Sequence, residues 1–127
     1  MKIEGNHFLV TGGAGFIGSH LVDMLLEQEA AQVVIFDNFI RGEMHNLTQA
    51  LQDHRTEVFE VKGDLTNLNE LNRATLGMDG VFHLASLCLA HCQEFPRSGL
   101  DVNVVGTFNI LEACVKNGIE RVMFASS

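Results

Sequence analysis

The sequence predicts an α/β fold with a doubly wound parallel sheet. Short apolar runs alternate along the chain with longer helical patterns, and most of these runs are nearly continuous Val, Ile, Leu and Phe. Such runs are typical of strands whose two faces are both covered. Strand–helix alternation through five strands indicates a parallel sheet with right-handed crossovers.

Five strands and four helices follow from this alternation. The strands are predicted at 7–11, 32–37, 57–64, 80–85 and 121–126. The helices are predicted over about 15–28, 43–53, 67–76 and 98–117. In the first helix Ile17, Leu21 and Leu25 recur every four residues, which predicts a stripe facing the sheet.

The last predicted helix is apolar on more than one side. One face is formed by Leu100, Val104, Phe108, Leu111 and Val115. Gly118 is placed to end the helix. The other side adds Val102, Val105 and Ala113. This excess beyond one stripe predicts that the helix packs on two surfaces, of which the second could belong to a partner.

Composition and charge exclude several function classes. A chain of 127 residues suits one domain, and its net charge of -8 with only eight Lys and Arg disfavours nucleic-acid binding, which needs basic patches. The amino terminus lacks a signal-peptide layout and nowhere do 18 apolar residues run together, so no membrane segment is predicted. The three cysteines predict reduced thiols in a cytoplasmic protein.

A metal site is not predicted. Cys88, His91 and Cys92 lie close together, and His83 precedes them. Their spacing contains no recognised C-x-x-C pair, and one short segment would have to supply all the ligands. Small buried thiols are the simpler interpretation.

The stretch "LVTGGAGFIGSHL", residues 9–21, predicts a phosphate-binding turn. Gly12, Gly15 and Gly18 follow a strand directly and open a helix. The first glycine permits a tight turn, the second lets the backbone approach a pyrophosphate, and the third lets the helix lie close to the strand. The helix start presents unpaired N–H groups to the phosphates. The expected fold is therefore Rossmann-like, with strand order 3-2-1-4-5.

An acidic residue after the second strand favours NAD as the cofactor. Asp37 stands 19 residues after Gly18, where a carboxylate can bind the adenosine ribose hydroxyls and repel a 2′-phosphate. Arg41 instead favours NADP, because a nearby arginine can bind that phosphate. Asp37 occupies the diagnostic position, so NAD is preferred.

Six sequence blocks follow one another along the chain: "TGGAGFIGSHL", "FDNFIRGEMHNL", "KGDL", "VFHLAS", "DVNVVGTFNILEA" and "RVMFASS". In this order they resemble the extended short-chain dehydrogenase/reductases. The most similar group is the NAD-dependent nucleotide-sugar epimerases and dehydratases. The resemblance covers essentially the whole chain and implies an enzyme that takes a nucleotide-sugar and forms a homodimer at full length.

The resemblance also implies the cofactor contacts. The pyrophosphate would meet the glycine motif through the backbone of Phe16 and Ile17. Asp37 and Asn38 would hold the adenosine ribose, with Arg41 and Gly42 running beside it. Further contacts would come from Asp64 and Leu65 at the adenine and from Leu84, Ala85 and Ser86 at the nicotinamide half. Asn103 resembles the family's helix asparagine, a structural and proton-relay position, although local hydrogen bonding would explain it equally well.

The family's catalytic group is incomplete in this chain. By resemblance, Ser127 stands where the family has its catalytic Ser or Thr, but the chain contains no tyrosine for the Tyr-x-x-x-Lys that supplies the general base. Residues 1–127 are therefore expected to be an incomplete dinucleotide-binding domain, truncated after its fifth strand and lacking the substrate-binding part. Alone it should be inactive, with the fifth strand exposed at the sheet edge.

Two other functions stay open. One is an NADP-dependent reductase of the same superfamily that acts on a ketone or a steroid-like alcohol. The other is a non-catalytic dinucleotide-binding module, which would fold and bind its cofactor unaided. Neither the sugar nor the choice between epimerisation and dehydration follows from the sequence.

Overall fold

The computed structural model describes residues 1–60 and 62–126. Five parallel strands form one sheet in the order β3-β2-β1-β4-β5. Both the Rossmann-like α/β class and the strand order predicted from the sequence are confirmed. The strands are β1 His7–Thr11, β2 Gln32–Phe36, β3 Thr56–Val58, β4 Gly80–His83 and β5 Arg121–Phe124.

Helices cover both faces of the sheet. They are α1 Phe16–Glu27, α2 Leu68–Ala74, α3 Leu89–Glu94, α4 Pro96–Gly99 and α5 Thr107–Lys116. A π-helical segment, Leu100–Gly106, joins α4 to α5, so the helix predicted at 98–117 is real but is distorted along its first half. Pro96 begins α4, a position where its missing N–H leaves no hydrogen bond unmade. No helix in the described part of the chain is long and apolar enough to cross a membrane.

The prediction of a helix at 43–53 is wrong. This segment forms two short 3-10 turns, Met44–Leu47 and Ala50–Gln52. Side chains here bond to backbone carbonyls: Asn46 Nδ2 donates to Ala14 O at 2.8 Å and Thr48 Oγ1 donates to His45 O at 2.7 Å. Such bonds compete with regular helix.

The third strand is also much shorter than the predicted 57–64. It ends at Val58, and Glu60 has a φ of +44°, which takes the backbone out of the extended region. The chain then passes over the end of β2, where Gly63 N–H donates to Asp37 O at 2.8 Å. This bend brings the following residues to the carboxyl end of β2.

Two apolar cores hold the layers together. Between the sheet and α1 lie Phe8, Val10, Val22, Leu25, Val33 and Ile35. Between the sheet and the pair α2 and α5 lie Leu9, Val34, Phe36, Leu71, Val81, Ile110 and Ala113. Because alternate residues of β1 and β2 enter opposite cores, both faces of these strands are apolar, as the continuous runs indicate.

The sheet-facing stripe predicted for α1 is only partly right. Leu25 is buried, but Ile17 is 71% exposed, and the buried side is completed by Gly18, Val22 and Leu26. The reason is the close approach at Gly18, where an added Cβ would lie 2.1 Å from Gly12 O. Because Gly18 must face the sheet, the side chain of Ile17, the residue before it, points outward.

The apolar face predicted on the last helix is exposed. Its five residues, Leu100, Val104, Phe108, Leu111 and Val115, are between 45% and 84% exposed. The side facing the sheet instead buries Ile110, Ala113 and Cys114. On the second predicted side, Ala113 is buried and Val102 is half-buried, whereas Val105 is 42% exposed, so only part of that side packs within the described chain.

We expect Gly18→Ala to destabilise the fold by about 1–3 kcal/mol, because the new methyl group would overlap Gly12 O. Chemical unfolding measures this loss. Gly15→Ala is the matched control, since its Cβ would lie 3.3 Å from the same oxygen, and we expect it to lose less than about 1 kcal/mol. A Gly18→Ala chain more stable than the wild type, as for an unhindered helix glycine, would contradict this packing.

Candidate functional site

The turn between β1 and α1, residues 12–15, is called the glycine turn. Gly12 has a φ of +74°, and Gly15 N–H donates to Gly12 O at 3.1 Å. Helix α1 starts at Phe16 with no side-chain cap, and no described residue accepts from the N–H groups of Phe16 or Ile17. First-turn amides have no acceptor within their own helix, and together with the helix dipole they attract anions. The turn can therefore hold a phosphate group.

Asp37 lies beside the glycine turn at the end of β2. Its side chain accepts from Ala14 N–H at 3.0 Å through Oδ2 and from Phe39 N–H at 2.9 Å through Oδ1. A Cβ on Gly42 would lie 2.9 Å from Oδ2, so the following loop packs closely on the carboxylate. Asp37 is 8% exposed, and because a carboxylate can accept about four hydrogen bonds, the two from the backbone leave acceptor capacity for hydroxyl donors.

The loops that follow β1 and β4 are in direct contact. We call residues 84–87 the β4 loop. A Cβ on Gly12 would lie 2.9 Å from Ala85 N and 3.0 Å from Ala85 Cα. Since β1 lies between β2 and β4, the chain direction of the crossovers reverses at this point. In open α/β sheets such a switch point is where ligands bind, at the carboxyl ends of the strands.

The other residues predicted to flank the adenosine come from the segments that follow β2 and β3. Asn38 and Arg41 are exposed, and Asn38 Oδ1 accepts from Ile40 N–H at 3.0 Å. Asp64 is exposed, whereas Leu65 is buried and its carbonyl accepts from Asn109 Nδ2 at 3.0 Å.

At the remaining predicted positions, Leu84 and Ala85 are half-buried and Ser86 is exposed. Ser127 lies outside the described residues. The structure thus brings together the glycine turn, Asp37 and the β4 loop.

The positive charge of Arg41 influences a thiol that follows the β4 loop. The pKa of the exposed Cys88 thiol is lowered, chiefly by hydrogen bonding to the backbone of His91 and also by the positive charge of Arg41. Burial raises the pKa of the Cys114 thiol to about 11, so that group stays protonated.

Within residues 1–60 and 62–126, no three His, Cys, Asp or Glu side chains are grouped to hold a metal ion.

A buried histidine, His83, lies next to the site. The sequence pattern suggests only a metal-ligand role for it. His83 is 1% exposed; its Nδ1 lies 2.7 Å from Thr11 Oγ1 and its Nε2 lies 3.0 Å from Thr107 Oγ1. Thr11 Oγ1 also accepts from Leu84 N–H at 3.2 Å and from Ala85 N–H at 3.3 Å. A histidine inside an otherwise apolar strand was the only signal for this arrangement.

The hydrogen-bond partners fix the tautomer of His83. Thr107 Oγ1 donates its proton to Asn103 O at 2.7 Å, so it can only accept from His83 Nε2–H. The other ring nitrogen is then unprotonated and accepts from the Thr11 hydroxyl. Burial lowers the pKa of His83 to about 4, which keeps the ring neutral.

Asn103 clamps the far end of the β4 loop. Its side-chain Oδ1 accepts from Leu87 N–H at 2.7 Å, and its Nδ2 donates to Leu87 O at 3.0 Å. Local bonding within its own helix, one of the two interpretations open from the sequence, is therefore wrong for this side chain. Its structural role is to hold Leu87.

We expect the stability of the fold to fall between pH 6.5 and 4 because of His83. The unfolded chain has an ordinary histidine pKa of 6.5 and the folded chain one of about 4, so in this window the unfolded chain binds the extra proton. The contribution is full above pH 6.5 and lost below pH 4, and amounts to about 3 kcal/mol.

Urea unfolding of the wild type and His83→Phe over this pH range measures the effect. The variant should show a flatter dependence, whereas His54→Gln, which removes an exposed ring, should keep the wild-type slope. Equal slopes in the wild type and His83→Phe would contradict the neutral buried imidazole.

A family model described as the 3-beta hydroxysteroid dehydrogenase/isomerase family matches residues 9–127. The chain is 34% identical over 122 residues to human 3 beta-hydroxysteroid dehydrogenase type 7, covering 94% of this chain and 32% of that protein. It is 35% identical over 123 residues to a putative UDP-glucose 4-epimerase of Methanocaldococcus jannaschii, covering 94% of this chain and 37% of that protein.

A solved structure supports the same relationship. The dTDP-glucose 4,6-dehydratase DesIV from Streptomyces venezuelae, with NAD and TYD bound, is 33% identical with a TM-score of 0.84, covering 91% of this chain and 38% of that one. The chain thus spans about a third of the length of the relatives it matches. The protein belongs to the 3-beta hydroxysteroid dehydrogenase/isomerase family of the short-chain dehydrogenase/reductase superfamily.

Proposed function

We propose that residues 1–127 are the NAD-binding part of an NAD-dependent nucleotide-sugar epimerase or dehydratase. The observation that carries this proposal is the fixed carboxylate of Asp37 beside the unpaired amides at the start of α1. Two different groups of a dinucleotide, its phosphates and its adenosine ribose, need this pair of features side by side. The relatives include sugar epimerases, and DesIV is a dehydratase with NAD bound.

The residues present fit NAD at each end of the site. The N–H groups of Phe16 and Ile17 would hold the pyrophosphate, and the two remaining acceptor positions on Asp37 would bind the ribose hydroxyls, with Asn38 beside them. The carboxylate disfavours a 2′-phosphate through like charge. Arg41 is an exposed residue of the same loop and would run beside the ribose.

Further along, the proposed contacts are Gly42 packed on Asp37, Asp64 and Leu65 beside the adenine, and Leu84, Ala85 and Ser86 under the nicotinamide half. The contact between Gly12 and Ala85 supports this order, because it places the β4 loop directly against the glycine turn. The backbone bond from Gly63 to Asp37 likewise leads Asp64 toward the adenosine side.

When bound, NAD supplies the hydride acceptor for transient oxidation of a sugar hydroxyl. This chain would bind and orient the cofactor, and Ser127 would orient the substrate hydroxyl. The proton would pass to a tyrosine that these 127 residues do not contain. We therefore propose that 1–127 is an incomplete domain without turnover of its own, which its one-third coverage of the relatives supports.

We also propose that the full-length enzyme is a homodimer. The support is the exposed apolar face on the last helix, formed by Leu100, Val104, Phe108, Leu111 and Val115. Contiguous exposed apolar side chains of this kind are typical of protein–protein contact sites. β5 is an edge strand of the described sheet, and its Phe124 is 58% exposed, so this end of the domain also has surface available for protein contacts.

A steroid-like alcohol is the second candidate substrate. The family model and the human relative both carry steroid dehydrogenase names. The cofactor-binding part described above would serve either substrate, because residues outside this part would bind the sugar or the steroid. A preference for NADP would favour the reductase alternative, and cofactor binding without any downstream catalytic residues would favour a non-catalytic module.

Calorimetric titration with NAD and NADP tests the proposal. We expect NAD to bind at least about tenfold more tightly than NADP, which corresponds to about 1.4 kcal/mol. Asp37→Asn should reduce this preference, because the repulsion of the 2′-phosphate is removed. Glu43→Gln makes the same charge change at an exposed position in the same loop and should keep the wild-type preference.

Tighter binding of NADP than of NAD by the wild type would contradict the proposal. So would an unchanged NAD preference in Asp37→Asn. Thermal unfolding of each variant in parallel separates a loss of fold from a loss of selectivity.

A further inference from the structure

We propose that His83 is a positioning residue, which holds the β4 loop in the conformation that receives the nicotinamide half of the dinucleotide. The inference rests on the proposed NAD-binding function, and it concerns a side chain that lies beneath the site and does not line it. Hydrogen bonds join three elements at this ring: β1 through Thr11, β4 through His83 itself and α5 through Thr107.

The hydrogen bonds form one chain of donors that starts at the β4-loop amides and passes through Thr11 and His83 to Thr107. Thr11 gives its proton to His83 Nδ1, which leaves the oxygen lone pairs of Thr11 to accept from Leu84 N–H and Ala85 N–H. Without an acceptor at His83, the Thr11 hydroxyl would turn to another partner and release the Ala85 amide, whereas Leu84 N–H would keep its bond to the Thr11 carbonyl at 3.1 Å. The ring thus decides the orientation of the group that anchors the start of the loop.

The far end of the loop is tied to the same network. Asn103 bonds both backbone groups of Leu87, and the carbonyl of Asn103 accepts from Thr107, which in turn accepts from His83. The loop is therefore held at both ends by groups that connect to one ring. Because the Ala85 backbone lies against Gly12, a shift of the loop would change its position relative to the glycine turn.

The surroundings of the ring favour its neutral form. The side chains that bond to it or stack on it are Thr11 from β1, Thr107 from α5 and Phe124 from β5, and none of these is ionisable. A protonated ring would offer a second N–H donor to Thr11, whose oxygen already accepts from two amides. The positioning therefore requires the single tautomer that the partners impose.

A buried histidine could also contribute to stability alone, so the test compares two ligands. NAD has a nicotinamide half that the β4 loop would contact, and ADP-ribose lacks the nicotinamide ring. If His83 positions the loop, His83→Phe should weaken NAD binding about three- to tenfold, as for loss of one hydrogen-bonded contact, and leave ADP-ribose binding within about twofold. A purely structural role would change both affinities alike or neither.

Thr11→Val is the second variant, because it breaks the same link while keeping the ring and a nearly equal side-chain volume. It should show the same selective loss for NAD. Thr75→Val is the matched control: Thr75 is also fully buried and hydrogen-bonded, to Leu71 O and Asn117 Nδ2, but it lies between α2 and the end of α5. It should lower stability without changing the ratio of the two affinities.

Amide hydrogen exchange gives a readout that needs no ligand. The Ala85 amide should exchange faster in His83→Phe and Thr11→Val than in Thr75→Val, relative to the amides of β1 in each protein. Unchanged exchange at the Ala85 amide in folded Thr11→Val would overturn the inference.

The titrations separate this inference from the proposed function. A wild type that binds NAD, with variants whose NAD and ADP-ribose affinities change equally or not at all, overturns the role of His83 and leaves the proposed function standing. A wild type that binds neither ligand overturns both. Selective loss of NAD affinity in both variants, with the control unchanged, supports the positioning role.

Discussion

The close approach of α1 to the end of β1 is the constraint on which the site depends. At Gly18 there is no room for a side chain, because even a methyl group would overlap the carbonyl of Gly12. This contact fixes where the helix starts, and therefore where the unpaired amides of Phe16 and Ile17 point. It also rotates α1 so that Val22 and Leu25 enter the core while Phe16 and Ile17 stay exposed.

The parallel sheet then brings separate parts of the chain to the same edge. Asp37 ends β2 and bonds to Ala14 in the glycine turn, which locks these two features together without a ligand. On the other side of β1, the β4 loop packs on Gly12. The proposed functional chemistry thus comes from loops whose positions are set by backbone contacts, and the apolar cores on both faces keep the strands in register.

The sequence was sufficient where local rules and packing agree. β1 is bounded by a polar residue and the glycine motif, and its predicted limits were confirmed. β3 was overestimated because "EVFEVKGD" reads as a strand, whereas the left-handed backbone at Glu60 ends it early. The contacts of Asp64 and Ser86 with the cofactor stay predictions.

Helix faces and buried polar groups were harder to predict. The spacing of Ile17, Leu21 and Leu25 is correct for a helix, but periodicity does not reveal the close contact at Gly18 that turns Ile17 outward. The face containing Phe108 could be recognised as apolar, while its exposure depends on which side of the helix meets the sheet. His83 could not be interpreted, because its partners Thr11 and Thr107 come from distant segments that only the fold brings together.

The most direct test of the central claim is to follow the backbone amides of the folded chain by NMR during addition of NAD. If the glycine turn grips the diphosphate, the largest and saturable shifts should appear at Gly15, Phe16 and Ile17, with smaller ones beside Asp37 and at Ala85. Millimolar NAD that leaves these amides unmoved in properly folded protein, or shifts concentrated away from the carboxyl ends of the strands, would contradict the account.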